Sequence, residues 1–153
     1  MNNVCLRGMD HANSHSLQAY EAMGGYRVWR RILAGDLSAE EVLNTIRDSG
    51  LKGRGGAGFL TGMKWQFMNR DTPGQKYLIC NSDEGEPGTC KDTLIMLHNP
   101  HQLIEGMAIC SYVIGASVAY NYIRGEYLTQ FNRCEAAVQE AMNAGLLGKN
   151  VLD

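Results

Sequence analysis

Residues 76–88 read KYLICNSDEGEPG. The apolar run Tyr77 to Cys80 follows the turn signal Thr72-Pro73-Gly74 and has the length and composition of a buried strand. It passes directly into an acidic loop, Asn81 to Gly88. Downstream, Asn99-Pro100 offers an N-cap and a proline at the first helical position. Leu103 to Ile114 is apolar nearly all round, as expected of a helix packed on a sheet. Ser117 to Ile123 alternates Val118, Tyr120 and Tyr122 against Ala119, Asn121 and Ile123, which reads as a second strand. A last helix is expected over about 126–144, with Leu128, Phe131, Val138 and Met142 on one side and a stop at Gly145. A strand–helix–strand–helix order with a right-handed crossover makes the strands parallel and the chain α/β. Ligands in such sheets bind beyond the carboxyl ends of the strands, where residues 81–88 lie.

Upstream, residues 1–16 are polar and without periodicity, a loose lead-in whose His11 and His15 are too few to make a metal site. Leu17 to Leu33 reads as two short helices broken at Gly24-Gly25. Ser38-Ala39-Glu40-Glu41 is a capping box, so a helix is expected over 39–48 with Gly50 as its stop. Met63, Trp65, Phe67 and Met68 mark a further short helical segment.

Composition fits one globular domain: 153 residues, 44% apolar, 20% charged, formal net charge −2. No basic stripe is present, which argues against a nucleic-acid partner. Five cysteines without a C-x-x-C pair give neither a zinc nor an iron–sulfur spacing, so reduced and mostly buried thiols are expected. No secretory leader is visible and no apolar run approaches the length of a membrane span, so the chain is expected to be neither secreted nor membrane-inserted. The anomaly is glycine. Average usage would give about 11 in a chain of this size, whereas there are 18, five of them between Gly53 and Gly62.

Gly53-Arg54-Gly55-Gly56-Ala57-Gly58 matches G-x-G-x-x-G, yet the element before it is a capped helix and not the strand that a standard dinucleotide turn requires. The underlying physics remains. Backbone N–H groups of such a run can turn toward a ligand, and Lys52, Arg54 and Lys64 add positive charge suited to a phosphate or an electron-rich ring. The alternative is a solvated surface loop. Phe59, Trp65 and Phe67 follow at once, as ligand-facing rings or as core, Trp65 being the strongest candidate for core. In the acidic loop, Asp83, Glu84 and Glu86 repel phosphate, leaving hydroxyl, amide or ring N–H recognition, a divalent cation or a plain surface turn. Asn81 offers both donor and acceptor, as an isoalloxazine edge needs. His98 and His101 flank Pro100 and read as cap or core residues, and no nucleophile elbow, Cys/His pair or P-loop is present.

GLKGRGGAGFLTGMKW (50–65), YLICNSDEGEPGTCKD (77–92), IEGM (104–107), RGEY (124–127) and GLLGKN (145–150) resemble, in order and spacing, the flavin-binding subunit of NADH:quinone oxidoreductase, respiratory complex I. The flavin subunits of NAD-reducing hydrogenases and NAD-dependent formate dehydrogenases share these motifs. The likeness runs from about Leu17 to the last residue. It implies a helical lead-in over 1–50 followed, over 51–153, by the first part of a Rossmann-like parallel-sheet FMN-binding domain.

The resemblance further implies an FMN that takes a hydride from NADH and returns electrons singly to iron–sulfur clusters. It places Gly53, Arg54, Gly55, Gly56, Ala57 and Gly58 against flavin and nucleotide, and Lys64 near the flavin ring. Asn81, Asp83 and Glu84 line the FMN pocket, Glu84 and Glu86 face NADH, and Phe59 and Phe67 stack on its adenine; no residue is assigned a covalent or acid–base role. Implied partners are a thioredoxin-like 2Fe–2S subunit and a large iron–sulfur subunit, at the cytoplasmic side of the inner membrane. The family continues with a Y-x-C-G-E-E segment, a ubiquitin-like domain and a 4Fe–4S domain. By this resemblance the chain is an N-terminal fragment with an incomplete pocket, expected to bind FMN weakly or not at all alone. It would be the electron-input module of a complex I, or the equivalent part of a hydrogenase or formate dehydrogenase, or a non-catalytic binding fragment.

Overall fold

A computed structural model describes residues 4–149, 151 and 152. The elements are α1 (Leu17–Ala22), α2 (Arg27–Leu33), α3 (Ala39–Asp48), α4 (Thr61–Gln66), β1 (Tyr77–Asn81), α5 (Lys91–His98), α6 (Pro100–Ile114), β2 (Val118–Tyr122) and α7 (Leu128–Asn143). β1 and β2 pair in parallel, from Tyr77 opposite Val118 to Asn81 opposite Tyr122, with α5 and α6 as the crossover. The expected α/β order is therefore present, with α5 as an addition that short KDTLIMLH, lacking a local cap, does not announce. The described lead-in residues are not loose. They form successive turns held by bonds such as His11 N–H to the Gly8 carbonyl, 2.9 Å, and Ser14 is buried.

Helix α6 is the centre of the packing. Its Ala108 and Val113 join Tyr20, Tyr26, Trp29, Ile32, Val42, Ala141 and Leu146 in one buried cluster, against which Trp65 packs as the core reading expects. The capping box also forms: Ser38 Oγ accepts from Glu41 N–H at 3.2 Å while Glu41 Oε2 accepts from Ser38 N–H at 2.8 Å. Two expectations change. KYLIC is not buried on both sides: α6 covers the Leu78 and Cys80 face, while Tyr77, Ile79, Tyr120 and Tyr122 are exposed. On α7 the buried positions are Cys134, Ala137 and Ala141, because close approach to α5 and α6 admits only small side chains, and Leu128, Phe131, Val138 and Met142 face outward. The thiols divide likewise. Cys110 and Cys134 are buried, Cys80 is half-buried, and Cys5 and Cys90 are exposed; burial pushes Cys110 up to about 12 and Cys134 up to about 11.

His101 is a core residue. Its Nε2 lies 3.1 Å from Glu140 Oε2 and its Nδ1 3.0 Å from the Tyr26 hydroxyl. A carboxylate only accepts, so Nε2 carries the hydrogen and the neutral ring accepts a hydrogen bond from the Tyr26 hydroxyl at Nδ1. Burial lowers the His101 pKa below its ordinary 6.5 against the opposing pull of Glu140. Burial works against the Glu140 charge, but the Leu17 N–H and His101 hold that carboxyl below its ordinary 4.5. In both groups the unfolded chain binds protons first on acidification, so stability is present above those ordinary values and is lost as pH falls through the folded ones. Urea midpoints should drop from neutral pH toward about pH 5 in the wild type and drop less in His101→Gln; equal slopes would exclude His101 as the source.

Candidate functional site

Because the strands are parallel and in register, the segments that follow them leave the sheet at the same end. Ser82 extends the ladder by one bond, its N–H donating to the Tyr122 carbonyl at 2.8 Å, and its hydroxyl donates to Asn121 Oδ1 at 2.6 Å. Beyond that point the acidic loop faces the glycine run across a cleft of about 500 Å³, lined by Arg54, Gly55, Gly56, Asn81, Asp83, Glu84, Gly85, Glu86, Thr89, Lys91 and Asp92. Seven of the residues singled out in the sequence thus meet: Arg54, Gly55, Gly56, Asn81, Asp83, Glu84 and Glu86. A shallower depression between α1 and α7, lined by Ser16, Leu17, Glu21 and Glu140, contains none of them.

The glycine run is a loop closed at its base. Gly53 N–H donates to the Phe59 carbonyl and Thr61 N–H to the Leu51 carbonyl, each at 2.8 Å, and Lys52 bridges Leu60 in antiparallel fashion. Between those ties, the amides of Arg54, Gly55, Gly56, Ala57 and Gly58 donate to no described residue. A side chain built at Gly55, Gly56 or Gly58 would meet nothing within 4 Å. Gly56 and Gly58 have φ of +107° and +63°, which a side chain disfavours. The loop therefore presents consecutive N–H donors over open space, a backbone arrangement that suits an anion or an electron-rich ring. Amides left open in this way are compatible with a flavin phosphate or ring.

Within the acidic loop Asn81, Asp83, Glu84 and Glu86 stand in different positions. Asn81 Oδ1 accepts from Asp83 N–H at 2.9 Å, which leaves its amide hydrogens for a ligand. Glu84 is buried, and its oxygens accept from Asp92 N–H at 3.0 Å and Thr93 N–H at 3.2 Å, in the first turn of α5. It is the missing cap of that helix. Burial opposes its charge, yet those two amides and Lys91, 3.9 Å away, hold the carboxyl below its usual range. Asp83 lies 3.5 Å from Arg124 Nε. The exposed Glu86 carboxylate has neither ion pair nor hydrogen bond among the described residues.

Other predicted residues lie outside the cleft lining. Phe59 and Phe67 are exposed, with ring centroids 6.2 Å apart. Lys64 is exposed on α4, while Gly53, Ala57 and Gly58 belong to the base and far side of the loop. Conversely, Thr89, Lys91 and Asp92 line the cleft without having been singled out one by one; their signal was the motif TCKD (89–92) immediately after the acidic residues. No helix among the described residues is long and apolar enough to cross a membrane.

Residues 46–151 match the profile of the family described as Nuo51 FMN-binding domain. The second F-type chain of the Rhizobium meliloti NADH-quinone oxidoreductase is 52% identical over 149 residues, 97% of this chain and 35% of the relative. The F-type chain of the Aquifex aeolicus NADH-quinone oxidoreductase is 47% identical over 150 residues, 98% of this chain and 34% of the relative. The chain thus spans about a third of the length of these curated relatives. Among solved structures, an NAD+-reducing [NiFe]-hydrogenase in the air-oxidized state superposes with a TM-score of 0.69 at 33% identity, over 92% of this chain and 23% of that one. Parallel strands, a closed glycine loop facing an acidic loop, and a profile match over two thirds of the sequence agree: the chain belongs to the Nuo51 FMN-binding domain family.

Proposed function

We propose that the chain forms the front of a flavin and NADH site in the electron-input module of an NADH:quinone oxidoreductase. The observation that carries this reading is the closed loop whose amides from Arg54 to Gly58 donate to no described residue and whose Arg54, Gly55 and Gly56 line the cleft opposite the acidic loop. When bound, FMN supplies hydride acceptance from NADH and one-electron delivery to iron–sulfur clusters. The protein's own part is binding and alignment, since rate in such a transfer depends on holding donor and acceptor at short distance with water excluded.

In this reading the amides of Arg54–Gly58 donate to flavin or nucleotide oxygens, with Arg54 adding charge. The Asn81 amide donates to the ring edge, and Asp83 and the free Glu86 carboxylate accept from hydroxyl or amide groups, Glu86 on the NADH side. Glu84 contributes by fixing the loop through α5. Lys64 approaches the flavin, and Phe59 with Phe67 stacks on the adenine, through parts of the pocket that the rest of the protein completes. The redox partners are iron–sulfur subunits, one thioredoxin-like, and the module works at the cytoplasmic face of the inner membrane. Higher identity to the quinone-reducing relatives than to the hydrogenase favours the quinone enzyme over the hydrogenase reading.

Gly55→Ala is the discriminating test. A methyl group there meets nothing within 4 Å and Gly55 lies outside the left-handed region, so stability should change by less than about 1 kcal/mol, if anything upward. The methyl would stand where a ligand approaches the backbone. Residues 1–153 fused to the C-terminal remainder of the Aquifex aeolicus relative supply a complete pocket for the measurement. Flavin fluorescence titration of that fusion should show FMN affinity falling by about tenfold or more, a loss equal to about one hydrogen bond and its packing. Unchanged affinity in a fusion that binds FMN would place the ligand elsewhere.

A further inference from the structure

The motif RGEY (124–127) does not itself line the cleft, yet it holds the loop that forms one wall of it. We infer that Arg124 and Tyr127 are positioning residues, clamping the backbone of the acidic loop at Glu84 so that Asp83, Gly85 and Glu86 are presented to the ligand in one fixed geometry. The inference deepens the functional reading above and rests on it for the identity of the ligand.

Register brings these groups together. Tyr122 ends β2 opposite Asn81, so residues 123–127 run beside residues 82–86. The Glu84 carbonyl accepts from Arg124 Nη1 at 3.1 Å and from the Tyr127 hydroxyl at 3.3 Å. The guanidinium is itself held on three sides: Nη2 donates to Glu126 Oε1 at 2.6 Å, Nε faces Asp83 Oδ1 at 3.5 Å, and its carbon stands 5.8 Å from the Tyr127 ring centroid. The side chain of the same Glu84 is buried against α5. One residue is therefore tied through its side chain to the crossover and through its carbonyl to the β2–α7 segment.

A loop fixed at such a pivot needs little ordering when a ligand arrives, which is how supporting residues raise affinity without touching it. The planar fork of arginine reaches the carbonyl and two carboxylates at once, and a lysine ammonium on a flexible stem does not reproduce that geometry. Glycine at 125 and the turn that closes with Tyr127 N–H to the Arg124 carbonyl, 3.0 Å, set both donors on the same side of the segment.

Amide hydrogen exchange on the 153-residue chain tests the clamp without any ligand. In Arg124→Ala the hydrogen-bonded amides of Ser82, Asp83, Thr89, Asp92 and Thr93 should exchange about tenfold faster while those of α3 and α6 keep their rates, since a local opening is governed by local contacts. Arg124→Lys should not restore the slow exchange. Tyr127→Phe, which removes one hydroxyl and leaves the core untouched, should give a smaller acceleration at the same amides and decides the matter if Arg124→Ala does not fold. Unchanged rates at those five amides, or a uniform acceleration across the chain, would overturn the clamp. In the fusion protein Arg124→Ala and Arg124→Lys should both weaken FMN binding; a wild-type fusion that binds no FMN defeats the functional reading and leaves the exchange result standing.

Discussion

Glu105→Ala should lower the stability of this chain by roughly 3–5 kcal/mol, the largest effect expected of any single truncation in it. Glu105 sits in the middle of α6 and is 8% exposed. Its Oε2 accepts from the Tyr20 hydroxyl at 2.5 Å and from Tyr26 N–H at 2.8 Å, and its Oε1 from Trp29 N–H at 3.3 Å. Tyr26 is the N-cap of α2, stands in the left-handed region at φ 57°, and offers no side-chain cap of its own. A carboxylate from another helix thus satisfies the start of α2 and joins α1, α2 and α6 around fully buried Tyr26.

Alanine removes the acceptor and leaves a phenol and two amides buried without partners, which costs the desolvation of each donor besides the cavity. Glu105→Gln keeps the volume and one acceptor oxygen but turns an amide N–H₂ toward other donors, so a loss of about 2 kcal/mol is expected. The two variants should therefore rank Ala below Gln below wild type in urea midpoint. Adding Tyr20→Phe to Glu105→Gln should cost less than the sum of the singles, because the phenol left without its acceptor is then gone. A loss under about 1 kcal/mol for Glu105→Ala would mean that water replaces the carboxylate and that the three helices are joined by apolar packing alone.

This network also marks the limit of what the sequence makes legible. IEGM (104–107) stood out as a motif, but nothing local says that Glu105 points inward to cap a helix some eighty residues earlier. Local signals were readable where the partner is near, as in the Ser38–Glu41 box and the stop at Gly145; Pro100 does open α6, but Asn99 before it makes no side-chain cap bond. An apolar run for β1, alternation for β2 and the crossover rule sufficed for the parallel pair, and that pairing in turn placed the acidic loop at the carboxyl ends. Helix α5 escaped because its cap, Glu84, comes from a loop that reads as ligand-binding. The outward stripe of α7 escaped because hydrophobic size misleads where helices approach closely. Within the cleft, the meeting of residues 54–56 with 81–86 follows from motif order, whereas the separate tasks of Asn81, Glu84 and Glu86 depend on which neighbour each side chain finds.

Gly62→Ala should be the second large effect, a loss of about 3 kcal/mol, and it divides the glycine run into two kinds of glycine. Gly62 lies in the first turn of α4 and is buried. A Cβ there would stand 2.5 Å from Arg47 Cα and 2.7 Å from Arg47 N, both backbone atoms of the last turn of α3. No rotamer change relieves a clash with a helix backbone, so α3 and α4 must separate, and the gain of roughly 1 kcal/mol in helix propensity from Gly to Ala does not offset that. Gly55→Ala, seven residues earlier, should leave stability nearly untouched. The comparison reaches function through geometry: α3 and α4 are the posts of the glycine loop, tied by Thr61 N–H to the Leu51 carbonyl and Gly53 N–H to the Phe59 carbonyl. Spreading the posts moves Arg54 to Gly58 relative to the acidic wall, so Gly62→Ala in the fusion protein should lose both urea midpoint and FMN affinity, whereas Gly55→Ala loses affinity alone. Equal midpoints for the two variants would show that α4 can shift without strain, and the loop would then be an independent flap and not a rigid extension of the α3–α4 pair.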